Sequence, residues 1–538
     1  MLKNREARMY VTNFWPEGCD KLSRDMDGIK KYYDEYTSGE YGEIDEQSFS
    51  DLNLDSIFEK MDGTYSSAGE SKLYDMLRNP VRDREILEKR NTFMEHFGEY
   101  TDDRIDVQEI LYQLSRDKKF NFLELLNSDY KGNEFKKYAY FILGKILPII
   151  FLLAGIFYRH EILIVFIAVV FINSLISAKE RGASLNTPYE GIYYGAALIK
   201  AGSRILKLDI DVLKPYQEKI DKAINDIGSD SSKLKIVSVS IVGGILNLPI
   251  IEDIHALIGS IILSVENAYY NLIDNLNNHK DSLKELYDVM GEIDALISVQ
   301  GYKEKSEYET TKPEFIDNYG FKIVDGAHPL IKDVVKNSIY IENKGIVLTG
   351  TNMSGKSTFL RMLGINIVFA QSFNFVHASE YKAEFLNYVS SISPQDDVEA
   401  GKSYYIAEAE AVLRIINALD GEYKVFCGID EIFRGTNPVE RIAASEEILR
   451  YIQERNSLSI VATHDKELTD LLTKTHNFYH FSEKVSDSTG LSFDYEIKKG
   501  VLKTRNAIKL LKYIGYPNEI IDDSYAAIEM IEACEKRA

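Results

Sequence analysis

Residues 350–358 read Gly-Thr-Asn-Met-Ser-Gly-Lys-Ser-Thr, with the spacing G-x-x-x-x-G-K-S of a phosphate-binding loop. Gly350 and Gly355 let the backbone curl so that successive N–H groups, from Thr351, Asn352, Met353 and Ser354 onward, point at phosphate oxygens. Lys356 is placed to reach the β- and γ-phosphates and Ser357 to ligate Mg²⁺, with Thr358 also among the nucleotide-binding residues. Two further groups could complete a hydrolytic site. Asp430 and Glu431 end an apolar run, where Asp430 would hold Mg²⁺ directly or through water and Glu431 would orient or deprotonate the attacking water. His464 ends another apolar run, where a histidine can sense the γ-phosphate. The chemistry predicted is binding of ATP with Mg²⁺ and its hydrolysis, with Lys356, Glu431 and His464 as the catalytic set.

These residues need elements that hold them. The apolar run Ile346-Val347-Leu348 predicts a buried strand over Gly345 to Thr349, and a helix begins near Lys356 through Phe359-Leu360-Arg361-Met362-Leu363. The helix start would add its dipole and unpaired N–H groups to the loop. Lys424 to Glu431 predicts a second strand and Leu458 to Ala462 a third, followed by Thr463-His464-Asp465. From Phe315 onward short β-rich runs alternate with helices, the pattern of an α/β domain.

The rest of the chain is different in texture. It has 538 residues, enough for two to four domains, and 45% hydrophobic content, which excludes global disorder. A net charge of −21 argues against a protein that coats nucleic acid over its whole surface, while leaving room for a local basic channel. The three cysteines, Cys19, Cys427 and Cys534, lack metal-ligand spacing and fit a reducing compartment. No apolar segment follows Met1-Leu2-Lys3-Asn4-Arg5, so no signal peptide is expected.

Tyr138 to Tyr158 is apolar apart from Lys145, and Ile162 to Ala178 carries no charge, with Arg159-His160-Glu161 between them. A spanning helix needs about 20 apolar residues and no fewer than about 17. Lys131, Lys136 and Lys137 precede the pair, and Lys179 and Arg181 follow it. The positive-inside rule then puts both outer ends in the cytoplasm. A transmembrane hairpin at 138–178 is therefore expected, in the cytoplasmic membrane with the ATP site on the cytoplasmic side. The competing reading is a buried hairpin in a soluble, cytoplasmic helical bundle. A weaker apolar stretch, Ile236 to Ile251, reads as buried or interfacial. The remaining segments are 1–50, a helical extension; 51–137 and 179–311, two parts of a helical lever or core domain; and 312–538, the ATPase domain with C-terminal dimerisation helices. Ile254 to Val299 carries a heptad-like stripe of Leu272, Leu276, Leu283, Leu286 and Val289, and Lys303 to Pro313 reads as a charged linker.

Residues 314–530 resemble the MutS family of DNA mismatch-repair ATPases, part of the ABC-type branch of P-loop ATPases. The resemblance is carried by His328-Pro329-Leu330; by the loop Thr349–Thr358, with Thr351 where proline is usual; and by Asp396-Asp397 with Gly401-Lys402-Ser403-Tyr404-Tyr405-Ile406-Ala407-Glu408. It continues through Asp430-Glu431-Ile432-Phe433-Arg434-Gly435-Thr436, with Phe433 in place of a usual glycine, and Thr463-His464 with Glu467-Leu468. It closes on Gly500, Asn506-Ala507, Gly515-Tyr516-Pro517 and Ile520-Ile521. More weakly, Gly69, Leu73, Leu77, Pro80, Ile86 and Arg90 resemble the opening of the family's lever domain, and Glu292-Ile293-Asp294-Ala295-Leu296 the end of its returning helix. The family's mismatch-reading domain would precede the lever, and residues 1–50 are too short a stretch for it. Phe93-Met94-Glu95 has the local spelling of that domain's wedge but falls within a predicted helix.

The fold implied is α plus α/β: a helical lever domain with the hairpin, then a P-loop α/β ATPase domain. The resemblance implies a homodimer in which Ser403 of one chain acts on the γ-phosphate bound by the other, and in which ATP closes the dimer and moves the levers. It also implies DNA as a partner and a place in mismatch repair. Two alternatives compete: a soluble DNA clamp whose apolar hairpin is core, and the ATPase subunit of a membrane transporter.

Overall fold

The computed structural model describes residues 2–18, 24–36, 42–115, 121–128, 133–183, 189–228, 262–263, 266–267, 270, 277–351, 353–393, 404–433, 437–486, 490–501 and 507–535. The chain divides into two compact units. The first comprises 1–38, 60–76 and 89–305; the second comprises 39–59, 77–88 and 306–538. Residues 39–59 and 77–88 therefore group with the C-terminal unit, a division that cuts across the contiguous segments read from the sequence.

The first unit is helical. Its central element is the helix Lys280–Lys305, buried along most of its length from Leu283 to Tyr302. Leu283, Leu286 and Val289 of the heptad-like stripe are buried there, while Leu272 and Leu276 lie outside the described residues. The helix runs to Lys305, so the expected linker begins later than Lys303. Close packing against the helix Ser67–Arg78 requires small residues at Gly69 and Gly291. A Cβ at Gly69 would lie 2.4 Å from the Asp294 carboxylate, and one at Gly291 would lie 2.5 Å from the Ala68 carbonyl oxygen. Asp294 is buried and receives the N–H groups of Tyr65 and Ser66 and the Ser66 hydroxyl. It thereby pins the turn that opens Ser67–Arg78. Phe93 is buried within the helix Arg84–Glu99 and is a core residue. Two apolar helices, Glu134–Phe157 and Ile162–Lys179, also belong to this unit.

The second unit is built on a six-stranded sheet. Its strand order is Lys498–Lys499, His476–His480, Gly345–Thr349, Ser457–Thr463, Lys424–Asp430, Leu386–Ser391. Every pairing is parallel except that of Lys498–Lys499. All three strands read from the sequence are present. Their interiors are continuous apolar runs because a parallel sheet is covered on both faces. Val347, Val425, Ile429, Val461, Ile415 and Leu449 form one of its cores. A second sheet of four strands orders Glu314–Phe315, Glu380–Ala383, Phe321–Gly326 and Asn337–Ile341. The chain closes with the helices Ala507–Ile514 and Asn518–Glu535. Residues 236–251 lie outside the described residues.

Candidate functional site

In the central sheet Thr349 pairs with Thr463, and Asp430 pairs with Ala462. Three strands thus end together, and the residues that follow them converge. This is the carboxyl edge at which open α/β sheets place ligands. The phosphate loop leaves Gly345–Thr349 and enters the helix Lys356–Phe373. Gly350 has φ +155°, and a Cβ there would lie 2.8 Å from Ser354 Oγ. Gly355 caps the helix at φ +107°, a conformation that strains any residue with a side chain.

Lys356 is buried beneath this loop. Its Nζ donates to the carbonyl oxygens of Gly350 at 2.9 Å and Thr351 at 3.1 Å, and lies 3.3 Å from His464 Nε2. Ser357 donates its hydroxyl to Asp430 Oδ2. Glu431 adopts φ +68°, with its N–H bonded to the Ala462 carbonyl at 2.8 Å and its Oε1 3.1 Å from His464 Nε2. His464 Nε2 therefore faces a cation on one side and a carboxylate on the other. With a proton on Nε2 it donates to Glu431; without one it accepts from Lys356. Phe433 adopts φ +58°, a left-handed conformation that is costly for a bulky side chain. Its burial in the sheet's core offsets the strain.

A cavity of about 950 Å³ opens here, lined among others by Lys356, Ser357, Asp430, Glu431, His328 and Tyr495. The donor set fits a nucleotide phosphate chain. Ser354 Oγ is buried without a hydrogen-bond partner among the described residues, and the glycines leave the backbone bare where side chains would block approach. The adjacent Ser357 hydroxyl and Asp430 carboxylate suit Mg²⁺, a hard cation that takes few protein oxygens and completes its shell with phosphate and water. Among the described residues no cluster of three or more His, Cys, Asp or Glu could hold a metal by itself.

Sequence reasoning had named Gly350, Thr351, Met353, Ser354, Gly355, Lys356, Ser357, Thr358, Asp430, Glu431 and His464, and the structure gathers them at one edge. Asn352 and Ser403 lie outside the described residues, as do Asp396, Asp397 and Arg434 to Thr436. Two supporting groups escaped the sequence reading, Asp51 and Arg441. Asp51, buried, accepts from Ser390 Oγ at 2.8 Å and from the N–H groups of Ile392 and Ser393 at 2.9 Å. It holds the end of the edge strand Leu386–Ser391. Its own carbonyl accepts from Arg361 Nε at 2.7 Å, one turn into the loop's helix. Arg441 grips Asp465 with two hydrogen bonds, 3.0 Å and 2.5 Å, fixing the residue after His464. An aspartate just ahead of an apolar helix and an arginine in the first turn of another carry no local signal of these partners.

Residues 346–532 match the family model described as MutS domain V. The chain is similar to the DNA mismatch repair protein MutS of Fusobacterium nucleatum, 30% identical over 49% of this chain and 30% of that protein. A likeness of 31% links it to the protein of the same name from Petrotoga mobilis, over 48% of this chain and 32% of the relative. The Thermus thermophilus protein of that name is 22% identical over 93% of this chain and 64% of its own length. The chain thus spans 30% of the Fusobacterium relative and less than two thirds of the Thermus one. Residues 346–532 thus carry the domain described as MutS domain V, and the chain is similar to MutS proteins over about half to nearly all of its length.

Proposed function

We propose that this chain binds and hydrolyses ATP with Mg²⁺ and couples the cycle to closure of a homodimer. The observation that carries it is the convergence of Lys356, Ser357, Asp430 and Glu431 on one cavity, with His464 in contact with Lys356 and Glu431, from three separate stretches of chain. In this reading the loop N–H groups and Lys356 neutralise the β- and γ-phosphates. Ser357 and Asp430 would hold Mg²⁺, which supplies further charge neutralisation on the phosphate oxygens. Glu431 aligns water and accepts its proton; His464, held by Glu431 and by the Asp465–Arg441 fork, reports the γ-phosphate. Ser403 would act across the dimer, and the exposed apolar residues of the closing helices, Tyr513, Ile514 and Met530, would be covered there. ATP can drive lever motion only by binding the closed state more tightly than the open one.

The names of the relatives support DNA as the partner and mismatch repair as the setting. With net charge −21, DNA binding here would be local and strongly dependent on salt. The decisive experiment is Glu431→Gln. It is expected to keep ATP binding, to lower steady-state hydrolysis by roughly 100-fold or more, and to accumulate an ATP-bound dimer in sedimentation. Unchanged turnover would remove Glu431 from its role.

A further inference from the structure

The helices Glu134–Phe157 and Ile162–Lys179 form a hairpin whose surface pattern is inverted. On the second helix the buried positions are Val169, Asn173 and Ser177, at four-residue spacing, and the last two are 0% and 1% exposed. The apolar residues point away: Ile164 is 71% exposed, Ile167 64%, Phe171 63% and Leu175 55%. The first helix repeats the arrangement. Tyr140, Gly144, Pro148 and Gly155 are its buried positions, while Ile149, Leu153, Ile156 and Phe157 are exposed. In water the hydrophobic effect drives the opposite arrangement.

The inner row has its partners within the chain. Asn173 Nδ2 donates to the Leu143 carbonyl at 2.8 Å, Ser177 Oγ to Glu266 Oε1 at 2.8 Å, and Asn267 Nδ2 to the Tyr140 carbonyl at 2.9 Å. Tyr140, Leu263 and Tyr270 pack together beside them. A five-residue π-helical stretch, Ile142–Ile146, brings Gly144 so close to the Ile262 carbonyl that a Cβ would lie 2.1 Å from it. The donors Asn173 Nδ2, Ser177 Oγ and Asn267 Nδ2 are thus bonded inside rather than turned outward, as hydrocarbon surroundings favour.

We propose that residues 134–179 are a membrane-embedded hairpin whose outward faces contact lipid acyl chains. The lengths match: 24 and 18 residues give about 36 Å and about 27 Å of helix against a hydrocarbon core of about 30 Å. The charges match as well. Glu134, Lys136, Lys137 and Lys179 stand at the outer ends and Arg159, His160 and Glu161 at the turn. Lys145, the one charge between, lies 5.5 Å from the Phe141 ring, back toward the outer end. A protein partner would meet a polar rim around a bounded patch; these apolar positions instead continue over both helices between two charged ends. The outer ends leave on one side, which the lysines mark as cytoplasmic, and the Arg159 turn lies on the other.

The test uses the full chain. Membranes are washed in alkaline carbonate, and the detergent-solubilised protein is reconstituted into phosphatidylethanolamine–phosphatidylglycerol vesicles and floated. The chain is expected to resist the wash and to float. A fluorophore on Ile167→Cys or on Leu153→Cys should be quenched by brominated acyl chains. The double variant Leu153→Asp, Ile167→Asp should lose at least tenfold in flotation while still binding a fluorescent ATP analogue. Release into the carbonate supernatant would overturn the proposal, as would flotation of the double variant at the native level. So would labels that no brominated lipid quenches but that cross-link to a second copy. If the double variant fails to fold, the label readings decide. Lys356→Ala is expected to float like the native chain, so a failure of the ATPase reading leaves this one standing.

Discussion

The carboxyl edge of the central sheet and the apolar hairpin put polar atoms in opposite places. In the sheet, strand interiors such as Ile346-Val347-Leu348 are buried, and the reactive groups Lys356, Asp430 and Glu431 gather where the strands stop. In the hairpin, the hydrogen-bonding Asn173 and Ser177 are inside, and isoleucines and phenylalanines cover the outside. The difference teaches that the same preference for satisfied polar groups produces either pattern, depending on what surrounds the element. It also separates chemistry from placement: one region holds a ligand by converging charges, the other presents a uniform surface that selects an environment.

The comparison can be broken most forcefully at Lys356. Lys356→Ala should weaken ATP binding roughly 1000-fold by equilibrium fluorescence, about 4 kcal/mol for two lost charge-assisted phosphate contacts, with the hairpin's behaviour unchanged. Native-like ATP affinity would mean that the loop does not carry the binding.

Asp51→Ala tests a support of the same edge. It leaves two N–H groups and the Ser390 hydroxyl without their acceptor, and should destabilise the second unit by about 3 kcal/mol. Hydrogen exchange of the Leu386–Ser391 strand is the measurement; protection equal to the native chain's would show that Asp51 is dispensable.

The smallest expected effect contrasts the two units by pH. Burial raises the Asp294 carboxyl to about 6 and lowers the His476 imidazole to about 4. For Asp294 the folded state holds its proton more tightly than the unfolded chain. That contribution is full below the unfolded value of 3.8 and is lost as pH rises through about 6. For His476 the unfolded chain takes up the proton first. Stability is full above 6.5 and is lost as pH falls through about 4. Between pH values of roughly 4 and 6.5 the two units should therefore shift in opposite directions, each by on the order of 2 kcal/mol. Exchange rates measured unit by unit check this, with Asp294→Asn and His476→Gln each flattening one profile. Parallel profiles would contradict it.

Much of the site was legible because its signals are contiguous. A phosphate loop needs its glycines, lysine and serine within one turn of chain, and Asp430-Glu431 must follow a strand directly. The supporting residues were not legible. Asp51 acts on residues more than 300 positions away, and nothing in its neighbours distinguishes it from a helix-end aspartate. Asp294 was read as part of a family-like string, yet its role in receiving Tyr65 and Ser66 follows only from the approach of helices at Gly69 and Gly291. Phe433 was noted as a departure from glycine; the left-handed backbone that makes the departure costly appears only in the fold.

By itself the sequence determined the elements with local causes: three apolar strands, the glycine-bounded loop, the helix behind it, and two apolar segments long enough to cross a bilayer. The tertiary structure decided which strand ends meet, which of the hairpin's faces turns inward, and which distant carboxylates hold the pieces in place. Period and propensity act over a few residues, whereas these pairings depend on loop closure and packing between segments whose separation leaves no local trace.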